Sequence, residues 1–458
     1  MIRPSQAAIL ARMRYDLEHK VQPELQSDFV RALVGQMSEL LRLLSVDDDA
    51  MAKVEAAFGS AVAAAGVTGV ADSVRALTEH GEAQVVATSA DAGAAAQDNA
   101  RALIAAESDF ILAHRAAAQA QAERDDSRFG DLAPVTVAAV QAYFARRHPE
   151  CPALEVTAVT QVAGGWTKDT FIVDIANWSG PARIVIRKDV PASTTEARVA
   201  DEARIFQKLE SAGFPAPRAL WLEPSAEPLG QPFLVIEFLP GKAALAPAWR
   251  DDADICRSAS LDFARLLARL HSIPLAALGY DVSQHRDPVG VVHEMVDYWH
   301  DLWRRHRHVP SPTLARAFAW LKANVPQGSD RIAFVHGDAG WHNVLVEDGA
   351  ITGLLDWEFA HPGDPSEDIS YVKRFIEPML PWQDFIDAYV AAGGAPERAD
   401  TASWYEVWRS VRNAVCCCMG QTAFISGVNP QFKFTVVGVQ LYRKFILDIA
   451  DNLKRVGA

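Results

Sequence analysis

Residues 334–346 read FVHGDAGWHNVLV. Two apolar runs enclose His336, Asp338, His342 and Asn343, residue types that serve a metal site or a phosphate-transfer loop, or that fall together by accident of composition. The residues that follow narrow the choice. NVLVED and ITGLLDWE are two short β-type runs joined at Asp348 and Gly349, a dipeptide favoured in two-residue hairpin turns because both positions tolerate a positive φ. The polar cluster therefore leads into one strand, and Asp356 closes the next.

Spacing then becomes informative. Asp338 and Asn343 are five positions apart, and Asp356 follows thirteen positions later. Protein kinases carry a catalytic loop with that first interval, in which the Asp takes the proton of the accepting hydroxyl and the Asn holds magnesium, and a second metal-binding Asp follows across a hairpin. Phosphoryl transfer needs such an arrangement because the moving group must meet a cation on one side and an oriented hydroxyl on the other. Further parts are expected upstream, and they occur in the expected order. EVTAVTQVAGGWTKDTFIVDIA places two strand-like runs around Gly164 and Gly165, with Thr167 just after the turn, and ARIVIRKDV supplies a third strand. A glycine pair between strands is by itself an ordinary hairpin turn; only its company makes it a nucleotide loop. TEARVADEARIFQKLESAGF reads as an amphipathic helix with Glu202 near its middle, and PFLVIEFLPGK as a buried strand ending in a turn, with Glu237 and Leu239 at the hinge position. On the third strand, period-two alternation puts Ile184 and Ile186 on one face and Val185 and Arg187 on the other, favouring Arg187 over Lys188 as the basic residue of the cleft.

Together these segments resemble the aminoglycoside phosphotransferase family of kinase-like small-molecule kinases. HGDAGWHN, LLDWEFAHPGDPSEDIS and EFLPG carry the match, which covers about residues 150 to 450, and Gly337 stands where protein kinases have Arg. The resemblance implies an α+β, two-lobed protein-kinase-like fold, with a small antiparallel sheet lobe and a mainly helical lobe, here preceded by an all-α domain. It implies ATP and Mg2+ as cofactors and a small-molecule hydroxyl acceptor. It also implies roles: Asp338 as base, Asn343 and Asp356 as magnesium ligands, Gly164, Gly165, Thr167, Arg187, Glu202, Glu237 and Leu239 around the nucleotide, and His336, Glu358 and Asp368 as supporting groups. Arg187 departs from the lysine often found there, but its guanidinium can pair Glu202 and reach phosphates in bidentate fashion. A zinc site on His336, Asp338 and His342, with Asp356 or His361, is the alternative; it leaves the glycine hairpin, the Arg187/Glu202 pair and the hinge unexplained. Trp341 and His342 either line the acceptor end of the cleft or pack.

The chain has 458 residues, half of them apolar, enough for two or three domains. We expect a helical accessory domain over residues 1–125, the sheet lobe over 126–240 and the helical lobe with the catalytic loop over 241–458. The first of these contains DFVRALVGQMSELLRLL and alanine-rich runs with narrow apolar stripes, which suit packing on the kinase domain or self-association. QAERDDSRFGD, residues 121–131, reads as the joint. A formal net charge of -14 opposes nonspecific nucleic-acid binding, and no run is long and apolar enough for a membrane span. Five cysteines, three of them the run Cys416, Cys417 and Cys418, include no CxxC pair and read as buried core thiols of a cytoplasmic protein. His271 reads as a helix-terminal histidine. WYEVWRSVRNAVCCCMGQTAFISG, apolar and aromatic with Arg409 and Arg412 interspersed, looks less like an aminoglycoside pocket than like the branch of hydroxyacyl-CoA-processing kinases, including the kinase-like domain fused to some acyl-CoA dehydrogenases. The helical start resembles a small protein that accompanies such kinases as a separate subunit. The leading expectation is phosphorylation of a hydroxyl on a small organic or acyl-thioester substrate. Aminoglycoside or macrolide inactivation is second, and an inactive nucleotide-binding scaffold is the reading of another class.

Overall fold

In a computed structural model the described residues are 28–44, 48–64, 94–120 and 135–458, with short breaks at 163–164, 244–246, 248, 286, 328–330, 399–400, 427 and 430–432. Among the described residues three helices come first: α1 (Asp28–Leu44), α2 (Asp48–Ala64) and α3 (Ala94–Ala120). The expected joint lies outside the described residues, as does Gly164.

Helix α4 (Val137–Arg147), capped by the Thr136 hydroxyl on the Ala139 amide, leads into the sheet lobe. Strands β1 (Glu155–Gln161), β2 (Lys168–Ala176), β3 (Arg183–Asp189), β4 (Ala219–Glu223) and β5 (Phe233–Glu237) form one antiparallel sheet in the order β1-β2-β3-β5-β4. The alternation on β3 divides the lobe. Ile184 and Ile186 pack under α4 with Phe144, Val173 and Val235, whereas Val185 and Arg187 turn toward the cleft. Helix α5 (Val199–Ser211) crosses that cleft face, burying Phe206 and Leu209. It starts only after Arg198, so Glu202 lies in its first turn rather than near its middle; Asp201 accepts from the Arg198 amide and fixes that start.

The helical lobe follows with α6 (Ala253–Ser272), α7 (Pro288–His306) and α8 (Pro312–Ala323). Two small sheets then carry the loop on which the reading turns: β6 (Ala333–Val335) pairs with β9 (His361–Gly363), and β7 (Val344–Glu347) with β8 (Ala350–Leu354). Asp348 and Gly349 adopt φ of 48° and 80°, as a primed two-residue hairpin turn requires. Helices α9 (Ser366–Ile376), α10 (Trp382–Ala391), α11 (Ala402–Ile425), α12 (Lys433–Val436) and α13 (Tyr442–Arg455) close the lobe, a π turn at Val437–Leu441 joining the last two. Cys416, Cys417 and Cys418 are buried on α11, and burial pushes their thiols up, out of the reactive range.

Helix α3 packs on the helical lobe. Ile104 and Ile111 of α3 share a core with Phe318 of α8, Trp404 of α11 and Leu453 of α13, and each such buried side chain contributes roughly 2 kcal/mol. Between them Glu107, also buried, accepts hydrogen bonds from the amide (2.9 Å) and the hydroxyl of Thr313 in the first turn of α8, a helix start that favours an anion. Arg316 of α8 and Gln97 of α3 add a bond of 3.1 Å.

Candidate active site

The loop between β6 and β7 is built around a carboxylate that touches nothing outside the protein. Asp368, fully buried on the first turn of α9, accepts from the main-chain amides of His336 (2.7 Å) and Gly337 (2.8 Å) and from His271 Nε2 (3.0 Å), whose other ring nitrogen accepts from the Tyr389 hydroxyl at 2.7 Å. Burial would raise the Asp368 carboxyl, but the bond and charge of His271, with His336, hold it below the usual carboxylate range. His271 is thus more than the end of a helix: it joins α6 to α9 beneath the loop. His336 spends both nitrogens internally. Nδ1 accepts from the Asp338 amide at 3.1 Å and Nε2 donates to the Leu355 carbonyl at 2.8 Å, an arrangement that fits the neutral ring that burial imposes and leaves no nitrogen for zinc. Gly337 has φ of 79°, and a Cβ there would meet the Phe359 carbonyl oxygen at 2.8 Å and Arg412 Nη1 at 3.2 Å, so a larger residue would displace the loop.

On this base Asp338 projects into the cleft. His342 Nε2 lies 3.1 Å from its Oδ2, the Asn343 amide donates to the same oxygen at 3.0 Å, and Arg412 Nη2 stands 3.9 Å from Oδ1. Burial acts to raise the carboxyl, yet the bond and charge of His342, then Arg412 and the Tyr371 hydroxyl, bring it down to about 2. Trp341, next to His342, is buried against Trp249 and Phe263 and packs, whereas His342 faces the site. The hairpin returns the chain beside Asn343, whose carbonyl accepts from Leu355 at 2.7 Å. Asp356 follows with φ of 63°, a left-handed conformation that Asp tolerates better than bulkier residues and that is found where a side chain must be aimed.

The sheet lobe meets Asp356 directly. Arg187 Nη2 contacts Asp356 Oδ1 at 2.9 Å and Glu202 Oε1 at 2.7 Å, and its Nε donates to Glu202 Oε2 at 2.9 Å. Burial would discharge the guanidinium, but the two carboxylates outweigh it and keep it charged. Lys188 points to the other face of the sheet, 3.5 Å from Asp169. Glu237 ends β5 with its carboxylate turned to Arg218 at 3.0 and 3.2 Å, so the hinge offers main chain there, while Leu239 packs over Gly353 of β8. Gly165 tolerates no side chain, since a Cβ would lie 2.5 Å from the Lys168 carbonyl oxygen. Thr167 is buried and its hydroxyl reaches Glu358. Burial first, and Asp356 second, push the Glu358 carboxyl up to about 8, and its Oε2 has no hydrogen-bond partner.

These groups fit a magnesium–nucleotide. Asn343 commits its amide nitrogen to Asp338, which leaves its oxygen, and Asp356 commits one oxygen to Arg187, which leaves the other. The orphaned, buried Glu358 marks a place where positive charge is wanted. Among the described residues no three His, Cys, Asp or Glu side chains form a ready metal cage. Sequence reasoning missed four contributors: Arg412, Tyr371, His271 and Lys433, whose Nζ bonds the Gly165 carbonyl (2.8 Å) and Asp169 (3.3 Å). Arg412 had left a signal as an arginine in an otherwise apolar helix, and His271 as a histidine at a helix end; Tyr371 and Lys433 had left none.

The sequence model of the phosphotransferase enzyme family APH matches residues 158–407, more than half the chain. Acyl-CoA dehydrogenase family member 11 of Rattus norvegicus is 26% identical over 231 residues, 48% of this chain and 28% of that protein. Family member 10 of Mus musculus is 27% identical over 213 residues, 45% and 19% of the two chains. The match thus spans less than a third of these relatives' length. Among solved structures, a candidate aminoglycoside phosphotransferase from Ralstonia eutropha has a TM-score of 0.50 at 18% identity, covering 70% of this chain and 98% of its own, which shows the kinase-like fold. Macrolide 2′-phosphotransferase type I covers 68% and 99% at 19% identity, with a TM-score of 0.46. With the match to the family model spanning the cleft from β1 to α11, the chain belongs to the APH phosphotransferase enzyme family.

Proposed function

We propose that the acceptor is a hydroxyl on a small organic molecule, with a hydroxyacyl thioester as the first candidate, and that Asp338 is the base that receives its proton. The observation that carries the assignment of the base is the position of Asp338: a carboxylate held ionised near the cleft floor by His342, Asn343 and Arg412, one hydrogen bond from the residue that would face the metal. The acceptor oxygen attacks the γ-phosphorus as its proton passes to Asp338 Oδ. The bond from the β–γ bridging oxygen to the γ-phosphorus breaks, and ADP departs. Arg187, fixed by Glu202, lies where it can contact phosphate oxygens, and the hairpin that carries Gly165 and Thr167 would cover them. Bound Mg2+, held by Asn343 and Asp356, would neutralise charge on those oxygens.

The thioester reading is supported by the names of the curated relatives, which are acyl-CoA dehydrogenase family members, and by the apolar, aromatic character of α11. We also propose the division into a helical domain over 1–125 and two lobes meeting near residue 240, and a cytoplasmic location; among the described residues no helix is long and apolar enough to cross a membrane. Incubation with Mg2+-ATP and a hydroxyacyl-CoA panel, beside aminoglycoside and macrolide panels, tests the acceptor class. ADP release driven by a hydroxyacyl compound is the expected result; release with antibiotics alone would transfer the assignment to drug inactivation.

A further inference from the structure

Next to the catalytic loop lies a cavity of about 470 Å³, within the range of small-molecule pockets. Its apolar walls are Met295 and Trp299 of α7, Trp408 and Met419 of α11, and Phe359 of the segment after Asp356. Arg412 of α11 stands in the wall between this space and Asp338. It is only 2% exposed, its Nη1 donates to Glu367 at 3.2 Å and its guanidinium lies 4.4 Å over the Phe359 ring, but Nε and Nη2 have no hydrogen-bond partner. A buried guanidinium with unused N–H groups is costly unless an oxygen arrives to accept them.

Most acids around the cavity are already engaged, and Glu358 keeps one oxygen without a hydrogen-bond partner. Glu196 receives Tyr298 and Arg305, Glu202 receives Arg187, Glu367 receives Arg412 and Trp408, Asp201 pairs with Arg204, and Glu358 faces Lys168 at 3.9 Å. On the α11 side of the cavity the unused hydrogen-bonding capacity is that of the Arg412 guanidinium, in an aromatic surround, and a polycation gains nothing there. We propose that the cavity receives the apolar body of the acceptor and that Arg412 binds its acyl oxygen, so that the preferred acceptors are apolar hydroxy compounds bearing a carboxylate or a thioester carbonyl. The proposal rests on the kinase reading above and narrows its acceptor. Arg412 sets specificity: it ties the acyl oxygen beside the base and so places the hydroxyl, as remote binding contacts position a reacting group.

The test compares matched acceptors with the full chain and Mg2+-ATP: medium-chain hydroxy acids, their thioesters, diols of the same length lacking the acyl oxygen, and an aminoglycoside. The readout is the ratio of kcat/KM for the acyl acceptor over the diol, a quantity that general damage to the fold does not shift. The expected ratio is well above one for the acid or the thioester, whichever of the two is the natural source, and falls by roughly 10- to 100-fold in Arg412→Met, the range for a lost charged hydrogen bond. Met295→Trp, which fills the cavity away from Asp338, is expected to shift preference toward shorter acceptors. An unchanged ratio in Arg412→Met, an unchanged length preference in Met295→Trp, or better use of the diol or the aminoglycoside by the wild type each overturns the proposal. So does transfer to none of the panel; if Mg2+-ATP then also fails to raise Tm, the kinase reading falls with it.

Discussion

The catalytic loop and the glycine hairpin look into one cleft but are held in different ways. Beneath the loop, Asp368, His271 and His336 satisfy one another and the main chain inside the core, so the backbone at His336 and Gly337 is held by a buried network. The hairpin has its β ladder and a few contacts beyond it: the Thr167 hydroxyl reaches Glu358, the Thr167 carbonyl accepts from the Ser193 hydroxyl at 3.1 Å, and Lys433, from the far end of the chain, bonds the Gly165 carbonyl. A base must be aimed within fractions of an ångström, and a buried network does that; a cover over phosphates must open for nucleotide exchange, and a few reversible contacts permit it.

Four measurements bear on this contrast. The largest effect is expected at the tip of the rigid loop: Asp338→Asn should lower kcat by about 10²- to 10⁴-fold while leaving the KM for ATP nearly unchanged, and full activity would remove Asp338 from its role as base. Next comes the foundation. Asp368→Ala leaves two buried amides and His271 without their acceptor, and urea unfolding should show a loss of about 3–5 kcal/mol; a change below about 1 kcal/mol would mean the loop does not depend on this carboxylate. At the hairpin the effect is smaller. Lys433→Met should raise the KM for ATP by about 2- to 5-fold, in keeping with a contact of about 1 kcal/mol, and should speed amide exchange at residues 165–168 with little change in Tm. Equal protection of both loops from exchange in that variant would erase the distinction.

The mildest test uses pH. His114 on α3 and His300 on α7 both sit at about 4, lowered chiefly by burial and secondarily by neighbouring cations, Arg443 for the first and Lys322 for the second. Both pKa values lie below the unfolded value of about 6.5, so the unfolded chain binds more protons between pH 6.5 and pH 4. The stability they contribute is present above pH 6.5 and is lost as pH falls toward 4. Replacing both histidines by Gln should flatten that slope in denaturant titrations at successive pH values; an unchanged slope would place the acid sensitivity elsewhere.

Local rules made part of this legible. Asp348-Gly349 dictates a hairpin turn, the hairpin dictates that Asp356 returns beside Asn343, and strand alternation dictates that Arg187 and Lys188 face opposite ways. Each concerns backbone geometry over a few residues, which composition and spacing record. The start of α5 was misjudged because the stretch before it, TEAR, is also compatible with helix, and only the bond from the Arg198 amide to Asp201 shows where the helix begins.

The sequence by itself therefore determined the order of parts along the cleft and the family to which they belong. Tertiary structure alone decided what surrounds them: that His271 supports Asp368, that Glu107 of α3 engages the start of α8, that Lys433 reaches back to Gly165, and that Arg412 stands between Asp338 and an aromatic cavity. Those partners lie tens to hundreds of positions apart. Their meeting depends on how helices pack, and the apolar stripes that drive packing specify a buried face without naming the polar residue that will cross it.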